Sequence, residues 1–134
     1  MLKSFPLLLA LAAGTAAAAA TPAALLQGYA GQARQADPAF EPSASRGAAF
    51  FRLQRAAASG HSACTDCHTD DPRQPGRTRA HKAIAPLAPV ANPERLADAA
   101  KTEKWLGRNC RDVVGRPCTA AEKADIAAWL ISIR

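Results

Sequence analysis

Cys64-Thr65-Asp66-Cys67-His68 decides how the rest of the chain is read. Two thiols three positions apart, with a histidine directly after the second, form the Cys-x-x-Cys-His pattern by which a c-type haem is attached. The spacing has a mechanical reason. The thiols reach the two vinyl groups of one porphyrin and form thioethers, and the adjacent histidine is delivered to the iron as proximal ligand. A redox dithiol wants a βαβ context, which the flanking sequence lacks. A zinc site wants a second close ligand pair, but the other cysteines, Cys110 and Cys118, are far along the chain and more widely spaced. One covalent haem c, held by Cys64, Cys67 and His68, is the expectation.

Outward from the motif, Ser59 to Pro93 reads as loop, because Pro72, Pro75, Pro86, Pro89 and Pro93 rule out a long helix. A small domain carries so long a loop only when something fills the space beside it. Ile84-Ala85-Pro86-Leu87 resembles the proline-containing loop of c-type cytochromes whose carbonyl accepts a hydrogen bond from the proximal imidazole; an ordinary rigid loop explains it as well. On the N-terminal side, Ala23 to Arg34 places Leu25, Leu26 and Tyr29 on one helical face. After the breaks at Asp37-Pro38 and Glu41-Pro42, Ser45 is expected to cap a second helix carrying Gly47, Phe50 and Phe51. On the C-terminal side, Asn92 before Pro93 has the form of an N-cap with proline at the first helical position. A helix from about Asp98 to Asn109 follows. Thr119-Ala120-Ala121-Glu122 is a capping box. It opens a last helix with Ile126, Trp129, Leu130 and Ile133 on its apolar face. No segment of length alternates with period two and no internal repeat is visible, so the fold class is all-α.

A chain of 134 residues with 17 basic and 11 acidic side chains fits one domain and excludes a multidomain enzyme. Aromatics make up only 5%, so the core must use small side chains. Lys3, the apolar run Phe5 to Ala13 and Ala18-Ala19-Ala20 have the form of a cleavable signal peptide, residues 1–20, ahead of a single domain, residues 21–134. The leucine-rich part is too short for a membrane anchor, and no later apolar run approaches the roughly 18 residues a bilayer requires. A periplasmic location follows, and export permits disulfides.

The sixth iron ligand carries the functional information. The only methionine is Met1, so the His/Met ligation of ordinary electron carriers is excluded. His61 lies too close to Cys64 to wrap to the far face. His81 sits in the basic stretch Arg77-Thr78-Arg79-Ala80-His81-Lys82, which suits a solvated rim. Asn109 lies four residues after Trp105 and three after Leu106, on the apolar face of its helix, where a buried amide must be satisfied. A helix-terminal asparagine in a capping conformation would look the same. Spacing alone leaves Asn109, His81 and a vacant position open. Cys110 and Cys118 bracket a short loop whose closure as a disulfide stabilises by about 2.5 kcal/mol through loop entropy; two buried free thiols are the alternative.

Trp105-Leu106-Gly107-Arg108-Asn109-Cys110, then Val114-Gly115-Arg116, Cys118-Thr119, Glu122-Lys123-Ala124-Asp125 and Ala128-Trp129-Leu130 together resemble the sphaeroides haem protein family. Ile84 to Pro89 and the haem motif do so too, and the resemblance spans nearly all of residues 21–134. It implies a class I cytochrome c fold with an extra N-terminal helix, haem contacts from Trp105 and Pro86, Asn109 as distal ligand and a Cys110–Cys118 disulfide. It also implies binding of O2 or NO on reduction, and electrons from a di-haem cytochrome c linked to a b-type membrane cytochrome. Where the family often carries a small residue this chain has His81, which keeps a competing histidine in play. An amide oxygen is a hard, weak ligand that suits ferric iron better than ferrous. Reduction should therefore release Asn109, whose amide could then donate to a bound diatomic. A gas-binding electron-transfer protein is expected rather than a dedicated enzyme. A His68/His81 electron carrier and a small terminal oxidase or reductase are the competing functions.

Overall fold

In the computed structural model, which describes residues 21–56 and 60–134, five helices and one very short hairpin follow one another along the chain. The expected signal peptide and its cleavage site lie outside the described residues. Helix α1 (Pro22–Ala36) opens where the Thr21 hydroxyl accepts the Ala24 N–H, and it stops at Asp37, ahead of Pro38. Helix α2 (Ala44–Arg52) is capped by Ser43 rather than Ser45. Ser43 holds the extended backbone a cap requires (φ −130°, ψ 117°), whereas Ser45 is already helical and its hydroxyl meets that of Ser43. Helix α3 (Thr65–His68) is a single turn inside the haem motif. Strands β1 (Gly76–Arg77) and β2 (Ala83–Ile84) pair antiparallel, Gly76 opposite Ile84, and are too short for a period-two signature.

Asn92-Pro93 does not start a helix. It opens a turn in which Arg95 N–H donates to the Asn92 carbonyl, and Leu96 at φ 60° stops any helix from propagating. Helix α4 (Ala99–Val114) begins at the next cap, Asp98, whose carboxylate accepts the Lys101 N–H at 2.9 Å. It runs past Asn109 to Val114 and ends at Gly115, whose left-handed φ of 77° is a position suited to glycine. Helix α5 (Ala120–Ser132) starts with the capping box read from Thr119 and Glu122.

Helices α1 and α2 both pack on α5, and this junction makes the core. Leu25, Tyr29 and Ala30 of α1 meet Phe51 of α2 and Ile126, Ala127, Trp129 and Leu130 of α5. The Phe51 and Trp129 rings lie 4.9 Å apart. At the start of α2, Asp125 is only 6% exposed and accepts from Arg46 Nε (2.7 Å), Arg46 Nη2 (2.9 Å) and the Ser43 N–H (2.7 Å). The closest approach is at Gly47, where a Cβ would stand 2.0 Å from the Asp125 carbonyl oxygen. No rotamer change relieves a clash with backbone, so Gly47→Ala must push α2 and α5 apart. The expected cost is about 2–3 kcal/mol, read as a lower denaturation midpoint; an unchanged midpoint would refute so close a crossing.

Helix α4 behaves differently. It makes only glancing backbone contact with the other elements, and Cys110 is its one buried residue among those described.

Candidate haem site

The motif is held from three sides. Its turn is closed by N–H bonds from Cys67 (3.3 Å) and His68 (3.1 Å) to the Cys64 carbonyl, which brings residues 64, 67 and 68 to one side of the turn. The Cys64 N–H donates to the Phe51 carbonyl at 3.2 Å, tying the motif to the end of α2. The Asp66 carboxylate accepts the N–H groups of Ser62 (2.7 Å) and Ala63 (3.2 Å), which hold its pKa below the usual carboxylate value. From below, β1 presses on the turn. A Cβ on Gly76 would lie 2.0 Å from the Cys67 carbonyl oxygen, so only glycine fits there.

The thiols of Cys64 and Cys67 are free, and burial pushes Cys64 up to about 11. Burial, with the Arg95 guanidinium adding to it, pushes His68 down to about 4, leaving the neutral imidazole that can ligate metal. Among the described residues the His68 ring has no hydrogen-bond partner. In the loop of residues 84–87, from which a carbonyl acceptor is expected, the Pro86 carbonyl takes Arg95 Nε at 2.8 Å and Asn92 Nδ2 at 3.2 Å. Both lone pairs of that oxygen are thus in use. Arg95 also reaches the Ala85 carbonyl at 2.8 Å. In sequence Asn92 has only the form of a helix cap and Arg95 no distinguishing mark; the one signal for the pair is a spacing of three, which a turn places on one side.

The candidate distal residues fall on different elements. Asn109 is half-buried on α4, and its side-chain amide bonds to no described residue. On the same helix Leu106 packs at the margin of the core, while Trp105 is 44% exposed. The Cys110–Cys118 disulfide is present, with 5.6 Å between Cα atoms, and pins the backbone beside Asn109 to the start of α5. His81 is exposed in the β1–β2 turn at φ 58°, its N–H donating to the Thr78 carbonyl. His61 lies on the attachment side, with Nδ1 3.8 Å from Cys67 Sγ.

A large planar apolar group suits this arrangement. Two thiols outside any disulfide and an imidazole with no hydrogen-bond partner among the described residues share one turn, while an amphipathic helix carrying Trp105, Leu106 and Asn109 is left almost unpacked. Haem c meets each of these needs, and the molecule built around it is a small c-type cytochrome. The chain is 48% identical over 128 residues to the cytochrome c-type protein SHP of Cereibacter sphaeroides, covering 94% of this chain and 95% of that one. It belongs to the sphaeroides haem protein family. Cytochrome c'' of Methylophilus methylotrophus is 36% identical over 111 residues, or 81% of this chain and 77% of its own. The solved structure of oxidized SHP, an oxygen binding cytochrome c, superposes with a TM-score of 0.78 at 45% identity, covering 86% of this chain and 99% of that one. Oxidized cytochrome c'' gives 0.77 at 34% identity, covering 84% and 94%. Its solution structure, which addresses haem-ligand detachment, gives 0.74. Residues 37–130 also match a domain family of unknown function, DUF1924.

Proposed function

We propose that this chain is an exported cytochrome c in which His68 and Asn109 hold the two axial positions of the oxidised haem, and that Asn109 withdraws on reduction to admit O2 or NO. The observation that carries the reading is the Asn109 amide, which has no hydrogen-bond partner among the described residues and sits on a long helix that only Leu106 joins to the margin of the core. The lack of any methionine after Met1 supports it. So do the names of the relatives, one an oxygen binding cytochrome c and the other concerned with haem-ligand detachment.

Bound haem would supply a one-electron couple and the capacity to bind a diatomic ligand. His68 holds the proximal side in both redox states, through a neutral nitrogen. Asn109 would offer its carbonyl oxygen to the oxidised haem, and once released would leave its amide N–H able to donate to a bound diatomic. Without a sulfur ligand the couple lies below that of a His/Met cytochrome. Electrons come from another cytochrome, such as a di-haem cytochrome c linked to a b-type membrane cytochrome, in the periplasm to which residues 1–20 direct the chain. A His68/His81 carrier draws on no comparable observation, since His81 is exposed at a hairpin tip. A terminal oxidase or reductase would show steady-state turnover with a reduced di-haem donor.

The visible spectrum of the reduced protein, taken before and after nitric oxide, tests the proposal. High-spin ferrous haem that shifts with the gas is expected. A low-spin ferrous spectrum indifferent to the gas would overturn it.

The β1–β2 hairpin bears on the donor. Between Pro72 and Pro93 the chain holds Arg73, Arg77, Arg79 and Lys82 and no acidic residue, and Gly76 seats this segment on the haem motif. An acidic donor docking there would be screened over about 10 Å at 0.1 M salt. Its electron-transfer rate is expected to fall severalfold as ionic strength rises; a flat dependence would leave the hairpin a solvated rim.

A further inference from the structure

Helix α4 touches the core only through Leu106, too little packing to hold the distal residue in register, yet it is tethered at two further points. One is the Cys110–Cys118 disulfide to the start of α5. The other is Glu103. Its Oε2 accepts the Tyr29 hydroxyl of α1 at 3.0 Å, while its Oε1 is paired with the Lys123 ammonium of α5. Tyr29 is 5% exposed, and the Lys123 ammonium stands 5.5 Å from the centre of the Tyr29 ring. Three helices each contribute one side chain to this junction.

The two moorings are seven residues apart, two turns and about 10 Å along the axis. A rod held at one point can turn about it in any sense; held at two, it keeps only rotation about the line that joins them, which Leu106 against the margin of the core opposes. Asn109 precedes Cys110 by one residue and so sits about 100° round the helix from it. With the Glu103 mooring lost, a small rotation of α4 about Cys110 would therefore displace the amide. We infer that Glu103 is a positioning residue for the distal ligand, and that the N-terminal helix α1 serves, through Tyr29, to keep Asn109 in ligating register.

This rests on the proposed ligation by Asn109, and the test separates the two ideas. Glu103 is 52% exposed, so its pairing adds little to global stability, and the melting temperature is the wrong measure. The ferric affinity for imidazole is the right one, because an internal ligand competes with an added one in proportion to how well it is held. Tyr29→Phe keeps the buried ring and removes only the hydroxyl, and Glu103→Gln keeps the shape and removes the charge. Each, made in the holoprotein, is expected to raise imidazole affinity about fivefold, and to change nothing when Asn109→Ala is already present. An equal rise in both backgrounds would mean a general loosening of the pocket and would overturn the positioning role. So would no rise at all in the native background while Asn109→Ala alone still raises the affinity; ligation by Asn109 would then stand. If Asn109→Ala itself leaves imidazole binding unchanged, the ligation falls and the positioning role falls with it.

Discussion

Asn109→Ala is expected to leave folding and haem attachment intact while water or hydroxide replaces the distal ligand of the ferric protein. His68 and both thioethers are untouched, and alanine is the better helix former, so α4 persists. Removing the internal competitor should raise ferric affinity for imidazole about tenfold or more. Nitric oxide binding by the reduced protein should survive, whereas O2 should be lost faster for want of the amide donor. The control is His81→Ala, whose ferric spectrum should match the native one, since that side chain is exposed in the β1–β2 turn. If only the His81 variant perturbs the iron, the chain is a bis-histidine electron carrier and the gas-binding function is wrong.

The other large effect belongs to the thiols. Replacing Cys64 and Cys67 together by alanine should abolish covalent haem, and with it the order of the chain from the motif to the end of α4. That stretch holds little of the core, and α4 itself is scarcely packed. The α1–α2–α5 junction, made of protein contacts alone, should persist. Mass spectrometry after denaturation is the direct measurement. The native chain should carry a haem-sized adduct that the double variant lacks, and a native chain without one would sink the assignment of haem c.

What was legible in the sequence was local. The haem motif is contiguous, so its chemistry is written in five residues. The Thr119–Glu122 box closes within one turn, and Cys110 and Cys118 are only eight residues apart. Choices between near-equivalent neighbours were harder. Two serines compete for the α2 cap, and only the backbone conformation distinguishes them. Asn92-Pro93 has the form of a helix start, but the left-handed Leu96 intervenes. Helix α4 outran its expected end because the two cysteines seemed to bracket a loop, although Gly115 marks the true stop. What joins distant parts of the chain left no trace. Tyr29 and Glu103 are 74 residues apart, Arg46 and Asp125 are 79 apart, and nothing in the sequence singles out Gly47 and Gly76 as sites of backbone contact. The same holds for the Pro86 carbonyl, which takes Asn92 and Arg95 as donors where the loop pattern pointed to His68.

The mooring of α4 also bears on how such a protein can change over generations. A side chain embedded between α2 and α5 cannot be exchanged without repacking its neighbours, as the Gly47 crossing illustrates. Position 109 is under no such restraint, because its helix is tied by a disulfide, a carboxylate and the single side chain of Leu106 rather than by a fully interdigitated face. If Asn109 ligates the haem as proposed, a new residue there would alter what faces the iron and disturb little else. The architecture thus separates the part that must be inherited intact from the part that selection is free to vary, and places position 109 in the second.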